Sequence, residues 1–305
     1  MKLIKPSYEI LPQAPGLEGV YKQIEYAGRT CYKSHDKITE TSAKEFVDML
    51  IKRGHLSVLE HGTIYLKIYA KKEVINERQE DFARNDFWYE ARTVYNYADS
   101  KYLNNAYSKV TRIDHSKKID VWTPCSYITT NMRVLVENGW LDDLKYLCTP
   151  TEYHQKRTTV KFICSRSTSH QLVRHRVMSF AQESQRYCNY SLDKFNNEIT
   201  FVIPSWLHSE ERHIDTTSGF GIKDNEEFIA FLCKAERHYF YLLEKNLKPQ
   251  QARQVLPNAC KTELIVTGFN DDWKKLFDLR CSTGADPDIK EIMIPLKEEL
   301  YGKYM

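Results

Sequence analysis

The chain has 305 residues, 42% hydrophobic and 28% charged, an ordinary globular balance with enough length to bury a substantial core. It has no apolar run of ~18 or more residues that would cross a membrane, and its first ten residues, MKLIKPSYEI, lack the apolar stretch and cleavage site of a secretory leader, so a cytoplasmic location with no membrane partner is expected. A formal net charge of +3 argues against a surface coated for bulk nucleic-acid binding, while leaving room for a local basic pocket.

The eight cysteines are scattered and none forms a CxxC pair. They read as small buried thiols, not as a disulfide framework or a zinc site, and no metal is expected. No repeat or Gly/Ser linker divides the sequence. It is therefore expected to fold as one domain over 1–305 with a large insertion at about 71–158.

In chain order, a first helix follows Pro15 through VYKQIEYAGRTCY, with Gly28 lowering helix propensity near its end. A second starts at Ser42, where Ser42 and Glu45 have capping-box spacing; Phe46, Val47, Leu50 and Ile51 form its apolar face and Gly54 closes it. Ile64, Leu66 and Ile68 alternate with polar neighbours as a half-buried strand. The stretch from about Lys71 to about Arg157 is charged, Tyr-rich and irregular, with one helical piece at MRVLVENGWLDDLKYL.

Val160, Phe162 and Cys164 alternate again as a strand, after which Ser165 to Thr168 supply N-caps for a helix running through HQLVRHRVM. ITFVIP is a strand ending at Pro204. A long amphipathic helix carries Phe228, Phe231, Leu232, Ala235, Tyr239 and Leu242 on one face. PQQARQVLP is a short helix, Asp271 can cap DWKKLFDLR, and Asp286-Pro287 opens a last helix that Pro295 should kink. The expected fold class is α/β (α+β): a central mixed or antiparallel sheet flanked by helices, with a partly helical insertion.

The chemistry concentrates in RHRVMSFAQESQRY, which places Arg174, His175, Arg176 and Arg186 within thirteen residues, just after Gln171. Guanidinium groups offer planar forks of donors suited to phosphate, and several converging forks favour a bound nucleotide. Ser184 and Gln185 can add neutral donors. A solvated basic helix face pairing with acids such as Glu183 is the plain alternative.

Arg174-His175-Arg176, seven residues, then Ser184 and Gln185-Arg186-Tyr187 resemble the signature of the flavin-dependent thymidylate synthases. AGRTCYKS at 27–34, GHLSVLEH at 54–61, ARQVLP at 252–257 and LFDLR ending at Arg280 resemble further elements of that family, in the family's order. The resemblance implies that Gln171, Arg174, Gln182, Glu183, Ser184, Gln185 and Arg186 hold dUMP, with Arg253 donated by another subunit. It implies that Arg280 is the catalytic residue, set against the uracil edge to stabilise negative charge there. Ser57, Arg174, His175, Arg176, Gln182 and Asn270 would contact FAD. Methylenetetrahydrofolate would give the one-carbon unit, NADPH would reduce the flavin, and shared active sites would require a homotetramer. Ser184 is implied to be a binding donor and not a covalent nucleophile.

Three departures stand out. Gln182 occupies a position where the family commonly has Glu. The family's flavin-holding asparagines fall on Phe269 and Lys275 in an ungapped count, with Asn270 one residue away. About ninety residues separate the strand at 63–69 from the strand at 159–164, where the family is usually short. Such a length is unusual for a bare loop, so the insertion is expected to carry helices of its own.

His55 and His61 read as structural histidines, and His55 lies near flavin and substrate under the resemblance. Two other functions remain open on the residues alone: an RNA-binding module gripping phosphates with Arg174, Arg176 and Arg186 and stacking bases on Tyr187 and Tyr190, and a flavin-free methylase using Cys125 of TPCS.

Overall fold

Strand pairing and helix boundaries come from a computed structural model that describes residues 1–81, 86–113, 124–192, 195–214 and 226–302. The chain divides into two compact units. Met1–Gln13, Tyr21–His61 and Arg157–Met305 form the first; Ala14–Val20 and Gly62–Lys156 form the second.

The first unit is built on a four-stranded antiparallel sheet of β2 (Ser7–Ile10), β8 (Arg157–Ser165), β12 (Lys261–Phe269) and β9 (Ser179–Gln182), in the order β2-β8-β12-β9. Its two inner strands pair from Lys261 opposite Ser165 to Phe269 opposite Arg157. The alternation expected around 160–164 has a simple origin. Val160, Phe162 and Cys164 point to one face, where they pack with Trp273, Leu276 and Phe277 of α8 (Asn270–Arg280) and Ile289, Ile292 and Met293 of α9 (Pro287–Tyr301). On the other face, Ile265 and Ala181 meet Ala27 of α1 (Gly16–Tyr32). Helices on both faces bury the sheet, so β12 is buried from Thr262 to Phe269 with no alternation to read. The α/β class with helix-flanked sheets is the one expected.

Gly28 has a packing role in α1. A Cβ there would stand 2.6 Å from Cε1 of Phe46 on α2 (Ser42–Lys52), so glycine lets that ring lie directly against the helix backbone. A second, three-stranded sheet in this unit is mixed. β1 (Lys2–Ile4) pairs in parallel with β10 (Thr200–Val202) and antiparallel with β11 (Arg212–His213). Leu3 and Phe201 pack with Leu232, Cys233 and Tyr239 of α6 (Glu226–Glu244). Short α7 (Pro249–Ala252) follows, then a 3-10 turn at Arg253–Val255.

In the second unit, β3 (Thr63–Tyr69), β7 (Cys125–Asn131) and β6 (Lys109–Ile113) form an antiparallel sheet in the order β3-β7-β6. β4 (Lys71–Asp81) and β5 (Asp86–Asn96) form a separate two-stranded ribbon. α3 (Ser100–Leu103), α4 (Met132–Glu137) and a 3-10 turn at Leu141–Tyr146 supply the helix.

The helical piece at 132–146 was expected; the strands around it were not. In the ribbon, Val74, Phe87 and Tyr89 are all exposed, so no buried face imposes a period of two on its sequence. β7 fails to show one for the opposite reason: all seven of its residues are buried.

Four finer expectations change. The helix expected to run through Met178 is α5 (Arg166–Leu172) and ends six residues early. Ser165 caps it as expected, its side chain accepting the Thr168 N–H. After Leu172 the chain must reverse to enter β9 at Ser179, and β-branched Val173 and Val177 do little to sustain helix there. Ser42 is not the N-cap of α2: Thr41 holds that place, while Ser42 Oγ donates to Glu25 Oε2 at 2.9 Å. Asp272, and not Asp271, reaches back to the start of α8, accepting the Phe269 N–H at 3.3 Å. Phe231 does not share the buried face of α6; it is exposed. α9 continues through Pro295 to Tyr301. Among the described residues no helix is long and apolar enough to cross a membrane.

Candidate active site

Two strands and two helix ends of the first unit bring the singled-out residues into three groups. The first forms where α5 gives way to a turn beside the C-terminal end of α8. Arg280 is half-buried there. Its Nε donates to His175 Nε2 at 3.0 Å, its Nη2 to the Gln171 carbonyl at 2.9 Å and its Nη1 to Gln171 Oε1 at 3.4 Å. Because His175 Nε2 accepts, the ring is neutral with its proton on Nδ1. Burial and then the Arg280 charge hold its pKa below the ordinary histidine value, which keeps it neutral. Burial and the like charge of Arg174 pull Arg280 below its usual value, while Asp286 pushes the other way.

Three of the five guanidinium N–H groups of Arg280 are thus used within the chain, leaving one on each terminal nitrogen. A half-buried cation with two donors in hand is a site for an anion or for a polarised carbonyl. Arg174 and Arg176 flank it, both exposed and, among the described residues, without a carboxylate partner.

The second group surrounds a cavity of about 480 Å³ lined by Arg29, Tyr32, Phe46, Arg53, His55 and Tyr187, among others. Stretches distant in sequence meet here: the end of α1 with the residues after it, α2 with the turn that follows, and the segment after β9. Tyr32 and Tyr187 lie 5.3 Å apart by ring centroids. Ser57, exposed on the 3-10 turn Leu56–His61, is two residues from His55. His61, in contrast, is fully buried; its Nδ1 lies 2.8 Å from Thr267 Oγ1, and burial pulls its pKa down to about 3. It is structural, as expected. Ser184 anchors the segment, its N–H donating to the Cys31 carbonyl at 3.0 Å, and Arg186 projects outward beside Tyr187.

The third group was not foreseen. Glu183 is buried, and its Oε2 lies 2.9 Å from Lys261 Nζ. Lys261 Nζ also lies 2.9 Å from Glu263 Oε1, and Glu263 is joined by Lys33 and by Lys161 at 3.4 Å. Burial alone would raise the Glu263 pKa, but the lysines outweigh it and hold the carboxyl well below the usual range. Lys261 is correspondingly raised by Glu183 and Glu263 against the effect of burial. The sequence held a signal for this: Lys261 and Glu263 are charges at i and i+2 inside an otherwise buried strand, a pattern that needs partners on the same face.

The remaining residues sit apart from these groups. Gln182 donates to Ser169 Oγ at 2.8 Å and Thr262 Oγ1 at 3.2 Å, and Gln185 Nε2 lies 3.4 Å from the buried thiol of Cys260. Asn270 starts α8, its Oδ1 accepting from Thr158 at 3.5 Å. Arg253 is half-buried on its 3-10 turn. Cys125 is buried in β7. Among the described residues no three or more His, Cys, Asp or Glu side chains are grouped to hold a metal ion.

The sequence model of the family Thy1, thymidylate synthase complementing protein, matches residues 17–77 and 90–304. The unmatched interval falls on the far half of the β4–β5 ribbon. Similar curated proteins are flavin-dependent thymidylate synthases. That of Pyrococcus furiosus is 34% identical over 137 residues, covering 45% of this chain and 51% of that protein. That of Thermococcus kodakarensis is 35% identical over 141 residues, again 45% and 51%, and that of Corynebacterium efficiens 34% over 141 residues, 45% and 54%. The chain spans about half the length of the curated relatives it matches. Among solved structures, thymidylate synthase X from Helicobacter pylori, crystallised with FAD and dUMP, is 22% identical with a TM-score of 0.35 over 48% of this chain and 68% of that one. That score is too low to align sites by superposition. The match over most of the sequence, in the segments that carry the three groups above, means that the chain belongs to the flavin-dependent thymidylate synthase family.

Proposed function

We propose that this protein converts dUMP to dTMP, as a single synthase-like domain over 1–305 with an insertion at about 71–158, acting as a cytoplasmic homotetramer with shared sites. The observation that carries the reading is Arg280, a half-buried guanidinium fixed by His175 and Gln171 with two donors still in hand.

In this reading Arg280 faces the uracil edge. A fixed cation favours the ionised form of the ring at N3 and steadies the negative charge that activation spreads over it. Gln171, Arg174, Gln182 to Arg186 and, from a second subunit, Arg253 hold the nucleotide. Within that stretch the Glu183 carboxylate is already committed to Lys261.

The donor set also fits a flavin dinucleotide. Ser57, Arg174 and Arg176 are exposed and suit an anionic pyrophosphate, and His175, Gln182 and Asn270 are the further flavin contacts of this reading. FAD reduced by NADPH would supply the hydride, and methylenetetrahydrofolate the one-carbon unit. The chain's own work is then to orient rings and balance charge.

The purified protein should be yellow, change its visible spectrum when dUMP is added, and form dTMP at the expense of NADPH and methylenetetrahydrofolate. A preparation that takes up no added FAD and forms no dTMP sinks the reading.

A further inference from the structure

Asp286 is the N-cap of α9, and one of its oxygens has the ordinary duty of that place: Oδ1 accepts the Asp288 N–H at 3.0 Å. The other oxygen does something a cap does not require. Oδ2 accepts from Gln171 Nε2 at 2.7 Å, across 115 residues of sequence. Gln171 in turn accepts from Arg280 with its Oε1 and its backbone carbonyl, and Arg280 donates to His175.

An amide has a donor end and an acceptor end, and the two differ little in size. Nothing about the shape of Gln171 decides which end meets Arg280. Its two partners decide it together: the Arg280 guanidinium can only donate and takes the oxygen, and the ionised Asp286 carboxylate can only accept and takes the NH2. Asp286 also acts on Arg280 by charge, opposing the repulsion from Arg174.

We infer that Asp286 is a positioning residue for the nucleotide site, fixing the Gln171 amide so that Arg280 keeps its orientation and its two remaining donors. The inference rests on the proposed dUMP site and deepens it. The positioned ligand chemistry is a uracil edge with adjacent acceptors, or its ionised form, facing those donors.

Asp286→Asn separates the two duties. Asparagine is as good an N-cap as aspartate, so the cap and the melting temperature should survive. Its remaining oxygen stays on the Asp288 N–H, and its NH2 then faces the NH2 of Gln171. Relief comes either from a flip of the new amide, which gives up the cap on the Asp288 N–H, or from a flip of the Gln171 amide, which points a donor at Arg280 Nη1.

The expected result in the full-length protein is a dUMP dissociation constant raised about tenfold, read by calorimetric titration, with a melting temperature within ~2 °C of the original. The KM for dUMP should rise more than kcat falls. Asp286→Ala, which removes both duties, should lower melting and binding together. Wild-type binding of dUMP by Asp286→Asn overturns the inference alone. Weakened binding that comes only with a lowered melting temperature also overturns it, since the cap would then be the whole role. An original protein that binds no dUMP overturns the functional reading itself.

Discussion

Two polar clusters in the first unit each hold a cation in place and are put to opposite use. In the Glu183–Lys261–Glu263 network, every charge has a partner within the chain and every member is largely buried. In the cluster of Gln171, His175 and Arg280, neutral groups orient the cation and leave part of it unanswered, with Arg174 and Arg176 exposed at its side. Neutral partners fix a guanidinium without cancelling its charge; carboxylate partners at the same distance would have cancelled it. The first arrangement makes structure, and the second leaves a site.

The buried network is most vulnerable at Glu263. Glu263→Gln strands Lys261, Lys33 and Lys161 with one carboxylate between them, and breaking a buried pair of this kind costs about 3–5 kcal/mol. Urea unfolding should show that loss, and a variant as stable as the original would mean that the network is solvated in solution. Glu263 also sets a pH dependence. Its folded-state pKa is depressed, so its contribution is present above the ordinary carboxylate range and is lost as pH falls through and below that range.

Arg280→Ala should show the reverse profile. Stability should change by no more than about 1 kcal/mol, because the side chain is only half-buried. Turnover of dUMP should fall about a hundredfold, and Arg280→Lys should recover only part, since an ammonium lacks the planar fork. Loss of the thermal transition in Arg280→Ala would place Arg280 with the structural cluster instead.

A buried histidine supplies a third measure. His61 stays neutral in the folded chain down to about pH 3, while the unfolded chain binds a proton near 6.5. The unfolded state therefore carries more protons between those values, and stability falls with falling pH across that window, by up to ~1.4 kcal/mol per unit. In His61→Asn that part of the slope should vanish. A slope unchanged from the original protein would assign acid sensitivity to Glu263 and its neighbours.

The smallest effect is expected at the rim. Arg186→Ala removes an exposed guanidinium, so stability should move by less than about 0.5 kcal/mol while dUMP affinity weakens several-fold. Unaltered dUMP affinity in a titration would remove Arg186 from the site.

The structure explains why some of this was legible and some was not. β8 alternates because one face meets α8 and α9 across the sheet, and Ser165 announced the start of α5 by its chemistry alone. Strands β4 and β5 carry no such record. A two-stranded ribbon wetted on both faces imposes no alternation, and charged residues suit it as well as they suit a loop. The end of α5 at Leu172 was hidden because Val173 and Val177 oppose helix only weakly, and it is the reversal into β9, paired with β12, that stops it.

The site divides in the same way. The sequence by itself determined the inventory: arginines around a histidine in 174–186, a second arginine-bearing helix ending at Arg280, and the glycine, serine and histidine elements near 27–61. It also determined the family, because those elements recur in a fixed order. Only the tertiary structure decided which charges would be used up. Glu183 and Arg186 are three residues apart, yet one is buried against Lys261 and the other stands in solvent. Spacing along a chain specifies which side chains are available, whereas pairing between Glu183 and Lys261 or between Gln171 and Asp286 depends on strands and helix ends that only folding brings into hydrogen-bond range.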